Sequence, residues 1–216
     1  LCVEFRLRSD DDSEYEWVEL RGTVINDENG NKDRIVGCIH NINQRKLLEE
    51  TQQKEQIYDV LTSFYRLGYG MGAIQNSRQT ECRGTMVITD IEKFSRINEK
   101  YGLIFGDIVI EKFAALIIDI SNALDIENAV FIRAGADQML LWFPGVDAEK
   151  VTELVERLRD EMGNLTNDNY LELDFRSGLT YAEDDKIATQ EIFDQARLAL
   201  AVAKKKNCRD EIYQNI

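Results

Sequence analysis

The residues whose types and spacing suggest chemistry begin with Asp137, a carboxylate on a predicted tight turn. An apolar run enters from residue 131, a short turn carries Gly135 and Asp137, and a second apolar run leaves through residue 143. This pattern is typical of a β-hairpin with a small-residue tip. A carboxylate on such a turn, with a glycine just before it, can meet a metal-bound phosphate. A structural hairpin with a polar tip also explains the stretch, and taken alone the stretch favours that explanation.

Upstream segments change the balance between these two explanations. Residues 85–90 (TMVITD) read as a short strand that ends on the carboxylate of Asp90, and they are followed by 91–98 (IEKFSRIN) and 101–107 (YGLIFGD). Together with the hairpin, these motifs resemble the GGDEF domain, the diguanylate cyclase fold. The five-letter signature of that family reads Gly-Ala-Asp-Gln-Met at 135–139 in this chain.

The resemblance extends from Asp59 to the end of the chain. Residues 59–66 (DVLTSFYR) occupy the place of the family's Asp-x-Leu-Thr motif, and 188–206 resembles its closing helix. The resemblance implies an α+β fold, with a nucleotidyl-cyclase-like sheet and flanking helices. The patterns predict strands near 85–89, 130–134, 138–143, 171–176 and 209–213, and helices near 93–100, 107–122, 148–162 and 189–205.

The resemblance also implies a reaction and a metal site. Joining two GTP molecules requires an activated 3′-hydroxyl and an α-phosphate whose charge is offset, and metal ions held by carboxylates do both. Asp90 and Asp137 match the family's metal-binding acids, and the Ile91 carbonyl matches its backbone ligand. The implied cofactor is Mg²⁺, which proteins bind through one or two carboxylates plus substrate phosphates. The alternative for each acid is a turn or cap residue.

Three further positions match the family's contacts to the nucleotide. Asn98 and Asp107 match the guanine readers, because an amide can bind the O6 and N7 edge and a carboxylate the N1–H and 2-amino edge. Lys204 matches the lysine that contacts phosphate. Asp107 could instead be the N-cap of the following helix, and the helix dipole also favours a lysine in a last turn.

The signature departs from the family on both sides of Asp137. Gly135 and Ala136 match nucleotide-binding positions, but Ala136 replaces a glycine that allows close approach to a phosphate. At positive φ, the methyl group of Ala136 would cost about 1–2 kcal/mol of strain. Gln138 replaces the signature glutamate and removes a charge from the metal and phosphate environment. Asp137 and Gln138 are the catalytic positions, so the resemblance implies a degenerate catalytic set.

Other departures lie outside the signature. Leu103 stands where the family usually has histidine, and Cys208 stands where it has a phosphate-contacting arginine, although Arg209 is adjacent. Ile126 and Ala129 stand where many members carry the Arg-x-x-Asp product-inhibition site. The resemblance therefore implies that this inhibitory site is absent.

Residues 1–42 alternate apolar and polar side chains in three runs, which is the pattern of half-buried antiparallel strands. The stretches 15–17 (YEW), 27–30 (DENG) and 37–46 resemble the C-terminal half of a PAS sensor domain, and a generic β-meander is the alternative. Three strands with one apolar face do not close a core. Either self-association or residues upstream must therefore cover that face.

Residues 43–64 read as one helix, mostly polar until Ile57, Leu61 and Phe64 form an apolar stripe. Such a helix between two modules suits a signalling connector, and a plain solvated linker is the alternative. The predicted domains are a PAS fragment at 1–42, a linker helix at 43–64 and a degenerate GGDEF domain at 65–216.

The composition bounds the partners and the compartment. A net charge of −14 argues against a nucleic-acid-binding surface, which needs a basic face. No apolar run reaches the length of a transmembrane helix, so we expect no membrane segment in this chain. The four cysteines have no metal-type spacing, and we expect reduced thiols in the cytoplasm.

These observations predict a signal-transduction protein whose GGDEF-like domain binds GTP with little or no turnover, because the metal and guanine positions are kept while signature residues are lost. One alternative is an active diguanylate cyclase that makes cyclic di-GMP from two GTP molecules. Another is a dimerisation module that binds no nucleotide. The expected assembly is a homodimer formed through the PAS fragment or the linker helix.

Overall fold

The computed structural model describes residues 1–8, 14–165 and 173–213 of the chain. The chain divides into two compact units, Leu1–Gln56 and Ile57–Ile216. Each unit has its own β-sheet, which confirms the predicted α+β class and the separation of the first sheet from the second. None of the helices in the described part of the chain is long and apolar enough to cross a membrane.

The described part of the first unit contains three strands and nearly all of one helix. The strands are β1 (Cys2–Arg8), β2 (Tyr15–Asn26) and β3 (Lys32–Asn41), and helix α1 follows at Asn43–Ile57. Both strand pairs are antiparallel, and β2 lies between the other two, as the alternation predicted. Asp27 forms the β2–β3 turn, because its carboxylate accepts hydrogen bonds from the backbone N–H groups of Asn29 and Asn31 at 2.9 and 2.8 Å.

The register puts most of the apolar side chains of this sheet on one face. Val3 pairs with Leu20, and Leu20 pairs with Ile39, so side chains at these positions point to the same side. The members of this face, hereafter the apolar face, are Val3, Phe5, Leu7, Val18, Leu20, Val24, Ile35 and Ile39. Several of them remain exposed, with 52% of Ile35 and 55% of Ile39 accessible to solvent. The three strands thus present one mainly apolar face, and the prediction that self-association or other residues cover it stays a prediction.

The second unit is built on a six-stranded sheet. Its strands are β4 (Tyr65–Arg66), β5 (Gly84–Ile91), β6 (Val130–Arg133), β7 (Gln138–Pro144), β8 (Phe175–Ala182) and β9 (Asp210–Ile212), in the spatial order β4-β6-β7-β5-β8-β9. The four inner strands are antiparallel to their inner neighbours, while β4 and β9 pair in parallel at the two edges. The prediction of a mainly antiparallel sheet is confirmed.

Helices cover both faces of this sheet. They are α2 (Leu67–Thr80), α3 (Phe94–Tyr101), α4 (Leu103–Ala123), α5 (Ala148–Gly163) and α6 (Thr189–Lys206). One apolar core joins the sheet to α4 and α5 through residues such as Phe113 and Leu154. A second core joins the sheet to α2 and α6 through Ile74, Trp142 and Ile192. Because β5 and β7 lie between the two cores, they read as continuous apolar runs.

Three sequence-based boundaries are wrong. The helix predicted over 43–64 ends at Ile57, because the Asp59 carboxylate accepts hydrogen bonds from the Thr62 backbone N–H at 3.0 Å and hydroxyl at 2.9 Å and forms a turn. The strand predicted at 171–176 begins only at Phe175, and residues 171–172 lie outside the described part of the chain. The helix predicted from residue 107 begins at Leu103. Helix α2 and strand β4 were not predicted.

Candidate functional site

The C-terminal end of β5 and the β6–β7 hairpin meet at one end of the inner strands of the second sheet. Asp90 and Gln138 are direct partners in the β5–β7 register, so the strand-end carboxylate lies opposite the first residue of β7. The Ile91 backbone N–H donates to the Asp137 carbonyl at 3.2 Å, which ties the hairpin turn to β5. The structure therefore brings together Asp90, Ile91, Asp137 and Gln138, as their assignment to one site required.

The Asp90 carboxylate has two partners on one of its oxygens. The Gln138 side-chain N–H donates to Oδ2 of Asp90 at 2.6 Å, and the Lys204 ammonium lies 2.6 Å from the same oxygen. Lys204 comes from the last turn of α6, far from Asp90 in sequence. The predicted phosphate lysine and one predicted metal acid thus form an ion pair with each other.

Asp137, at the tip of the hairpin, is the second carboxylate of the site. Its burial raises the pKa of the Asp137 carboxyl, and the nearby negative charge of Asp90 raises it further. A bound divalent cation would offset both effects. Among the residues that the structure describes, no group of three or more His, Cys, Asp or Glu side chains could hold a metal. Two carboxylates with one backbone carbonyl still fit Mg²⁺, which takes its remaining ligands from phosphates and water.

The hairpin tip is held by Arg133, which the sequence analysis did not identify. Its guanidinium donates to the Gly135 carbonyl at 3.2 Å and to the Ala136 carbonyl at 2.8 Å. A third N–H donates to the Asp59 carboxylate at 2.9 Å. The Arg133 and Asp59 side chains of this ion pair are only 16% and 15% exposed, respectively. Burial alone would raise the pKa of Asp59, but Arg133 and the hydrogen bonds from Thr62 outweigh it and hold the pKa below its usual value.

Ala136 does not adopt the conformation in which its methyl group would be strained. The non-glycine residues with positive φ in the described chain are Ser63, Lys93, Asp125, Asn128 and Asn207. The strain considered for Ala136 is therefore absent. Its side chain is exposed at the tip, so any effect of the methyl group falls on a ligand that approaches the turn.

The two predicted guanine readers lie where α3 meets α4. Asn98 packs against Gly106, the residue before Asp107, so closely that a β-carbon at Gly106 would overlap the Asn98 amide oxygen. That oxygen is buried and has no hydrogen-bond partner among the described residues. A buried acceptor without a partner costs about 1–3 kcal/mol. Because the oxygen is turned toward Gly106, the N–H groups of the Asn98 amide are the ones that could meet the O6 and N7 acceptors of guanine.

Asp107 is not the N-cap of its helix. Gly102 holds that position, and Asp107 is an exposed residue in the second turn of α4. The capping explanation for Asp107 is therefore wrong, and its carboxylate is free to face a ligand. Leu103, at the helix start, is also exposed.

A second arginine, Arg176, holds the end of α6 in place, and this role was not predicted from the sequence. Arg176 is the β8 partner of Asp90 in the sheet register, and its side chain forms an ion pair with Glu92 at 2.5 Å. The same guanidinium donates to the Lys204 carbonyl at 3.1 Å and to the Asn207 side chain at 2.6 Å. These contacts fix the helix turn from which Lys204 reaches Asp90.

Cys208 stands at the position where the resemblance implies an arginine that contacts phosphate. The Cys208 thiol lies 3.7 Å from a Glu211 carboxylate oxygen. Arg209, the adjacent residue, lies 3.6 Å from the carboxylate of Asp174. Arg209 is therefore engaged in an ion pair of its own rather than with the acids of the candidate site.

Comparison with protein families and curated proteins places these features in context. A family model described as "Diguanylate cyclase, GGDEF domain" matches residues 57–209. The chain is 24% identical over 154 residues to the probable diguanylate cyclase DgcT of Escherichia coli (strain K12), covering 68% of this chain and 33% of that protein. It is 26% identical over 148 residues to the uncharacterized protein YtrP of Bacillus subtilis (strain 168), covering 68% and 24%. The chain spans about a third or less of these relatives.

Solved structures share the architecture. The coiled coil and GGDEF domain of DgcB from Caulobacter crescentus, in complex with c-di-GMP, superposes with a TM-score of 0.64 at 17% identity, over 80% of this chain and 92% of that chain. The active GGEEF domain of a diguanylate cyclase from Vibrio cholerae gives a TM-score of 0.59 at 18% identity, over 69% and 94%. At such identities the likeness shows the fold alone.

Proposed function

Because the chain belongs to the diguanylate cyclase, GGDEF domain family, we propose that its second unit is a regulatory module that binds GTP with Mg²⁺ and converts it slowly or not at all. In this proposal Asp90, Asp137 and the Ile91 carbonyl hold the metal. Asn98 and Asp107 read guanine. Lys204 and the turn at Gly135 and Ala136 contact the phosphates.

The observation that carries the proposal is the contact between Gln138 and Asp90. An ionised glutamate at this position could only accept hydrogen bonds, whereas the Gln138 amide donates one to Oδ2 of Asp90 at 2.6 Å. The substitution therefore removes one negative charge and also engages an oxygen of a second proposed ligand. With Mg²⁺ bound, the metal would offset charge on the α-phosphate and lower the pKa of the attacking hydroxyl. If the charge of the metal is positioned less accurately, turnover falls before binding does, because reaction rates depend on geometry more steeply than binding does.

Two observations bear on the alternative functions. The ordinary backbone conformation of Ala136 favours an active cyclase, because this departure leaves the hairpin unstrained. The chain also keeps five of the family's site residues, namely Asp90, Asn98, Asp107, Asp137 and Lys204. Their joint presence speaks against a purely structural module, because a decayed site has no reason to keep all five. A slow or inactive nucleotide-binding domain agrees with both observations.

The test is calorimetric titration with GTP and Mg²⁺ beside an assay for cyclic di-GMP, on the unaltered protein and on Ala136→Gly/Gln138→Glu. We expect GTP to bind both proteins and the double variant to make product at least roughly a hundredfold faster, because about 1 Å of misplacement costs that much. Robust synthesis by the unaltered protein would refute the regulatory proposal. Absence of GTP binding in both proteins would favour the dimerisation module.

Guanine binding can be tested through Gly106 without substituting either reader. In Gly106→Ala the new methyl group must displace the Asn98 amide. Alanine is at the same time more favourable than glycine in a helix interior, by about 1 kcal/mol. We expect unchanged or higher thermal stability with roughly tenfold weaker GTP binding, equivalent to about 1.4 kcal/mol. Gly163→Ala, whose added β-carbon meets no atom within 4 Å, is the matched control. Full GTP affinity in a folded Gly106→Ala protein would remove Asn98 from the proposed site.

We also propose that the first unit is the C-terminal part of a PAS sensor, that α1 is a signalling connector, and that the apolar face mediates a homodimer. The support is the apolar face itself, because so many exposed apolar side chains over three strands favour burial. The opposite side carries charged side chains among its apolar ones, and Arg45 and Lys46 of α1 pair there with Glu4 at 2.5 and 2.7 Å. The larger set of exposed apolar side chains therefore lies on the apolar face.

Two substitutions on the same strand distinguish the sides of this sheet. Ile39 belongs to the apolar face, whereas Val36 points to the other side, and the two side chains are 55% and 56% exposed. We expect Ile39→Glu to weaken dimerisation at least roughly tenfold, because a charge placed in an apolar interface costs more than about 1.4 kcal/mol, and Val36→Glu to leave it unchanged. Sedimentation velocity measures both. A stable monomer of the unaltered chain would contradict the homodimer.

A further inference from the structure

We infer that Lys204 occupies the metal side of Asp90 until a nucleotide arrives, so that metal and nucleotide bind together rather than independently. The inference rests on the proposed function, because it concerns the same metal acid and the same phosphate lysine. It adds an order of events and a coupling that the proposed function does not require.

The geometry places an ammonium group against the carboxylate of a proposed metal ligand. The Lys204 ammonium lies 2.6 Å from Oδ2 of Asp90, and the Gln138 amide donates to the same oxygen at 2.6 Å. The Asp90 side chain is only 14% exposed, whereas 43% of the Lys204 side chain is accessible. The carboxylate is thus enclosed by its partners, while the lysine can swing away from it without unfolding its surroundings.

The lysine is held in this place by its helix. Arg176 binds the Lys204 carbonyl and the Asn207 side chain, so the turn of α6 stays beside the end of β5. The ammonium therefore remains beside Asp90, and Asp90 in turn adjoins the hairpin at which a phosphate group would bind. Movement of one flexible side chain is sufficient to exchange these two anionic partners.

Exchange of partners makes the two binding events cooperative. A divalent cation bound by Asp90 repels the ammonium that lies 2.6 Å from the same carboxylate, so metal binding alone favours the displacement of Lys204, whose charge then has no anionic partner. A bound triphosphate supplies that partner. Nucleotide therefore raises metal affinity, and by linkage the metal raises nucleotide affinity by the same factor.

The experiment measures Mn²⁺ binding by electron paramagnetic resonance, in the absence and presence of a GTP analogue whose α–β bridge cannot be cleaved. The proteins are the unaltered chain, Lys204→Met and Lys205→Met. Lys205 lies in the same last turn of α6 and is exposed. Its replacement changes the net charge equally without touching Asp90, which makes it the matched control.

Without the analogue, we expect Lys204→Met to bind Mn²⁺ roughly fivefold more tightly than the unaltered chain and Lys205→Met to match the unaltered chain. The analogue should tighten Mn²⁺ binding in the unaltered chain and have a smaller effect in Lys204→Met. Equal Mn²⁺ affinity in all three proteins, with binding observed, would overturn the inference and leave the proposed function intact. Failure of every folded protein to bind Mn²⁺ or the analogue would overturn both.

Discussion

Gly178→Ala is expected to destabilise the second unit by about 3 kcal/mol, at the upper end of what overpacking of a core costs. A β-carbon at Gly178 would overlap the backbone N of Leu200 and the carbonyl O of Ala196. Both atoms belong to the backbone of α6, so no side-chain rotation can relieve the contact. The helix itself must move away from β8, and it carries Lys204 with it.

Thermal unfolding followed by circular dichroism measures this loss. For a protein of this size 1 kcal/mol corresponds to about 2–4 °C, so we expect the Tm to fall by roughly 6–12 °C. Gly72→Ala in α2 is the control, because its β-carbon would meet no atom within 4 Å and alanine suits a helix interior. Its Tm should stay level or rise slightly. A Gly178→Ala protein as stable as the control would show that α6 does not need its close approach to β8.

The parts of the fold that were predictable are those whose local pattern agrees with their final environment. Strands β5 and β7 are buried on both sides, and their unbroken apolar runs predict this. Helix α5 was predicted near 148–162 and spans Ala148–Gly163, where the Asp147 carboxylate caps it by accepting a hydrogen bond from the Lys150 N–H at 2.9 Å. Its buried stripe has helical spacing.

Helix α2 could not be predicted in this way. Its sequence, LGYGMGAIQNSRQT, contains glycines that disfavour an isolated helix. One of them, Gly70, allows α2 to lie against Ile132 of β6, where a β-carbon would overlap the Ile132 side chain. The helix is therefore stabilised by a contact between segments about sixty residues apart in the chain. No local sequence pattern can predict such a contact.

The same distinction applies to the candidate site. The adjacency of Asp90 and Gln138 follows from a strand end meeting a hairpin, which motif order can suggest. The ion pair between Lys204 and Asp90 depends on where α6 ends, and no sequence pattern predicted that these two site residues contact each other. The role of Arg133 was hidden for a related reason, because its three acceptors are two backbone carbonyls and a distant carboxylate.

Arg133→Ala is expected to have the second large effect, with a loss of about 2–3 kcal/mol in folding free energy and roughly tenfold weaker binding of GTP with Mg²⁺. The substitution leaves the poorly exposed Asp59 carboxylate without its ion-pair partner and frees the carbonyls of Gly135 and Ala136. The free hairpin tip no longer presents Asp137 in one position. Chemical denaturation and calorimetric titration measure the two losses.

Comparison of Arg133→Lys with Arg157→Ala separates charge from geometry. Lysine keeps the charge beside Asp59, but a single ammonium cannot reproduce the planar fork that reaches three acceptors. We therefore expect Arg133→Lys to recover most of the stability and little of the binding. Arg157, exposed and paired with Glu153 at 2.6 Å, controls for the loss of an arginine and should change stability by less than about 1 kcal/mol. If Arg133→Lys restored binding and stability in equal measure, Arg133 would act through charge alone, and its hydrogen bonds to the hairpin tip would not position the site.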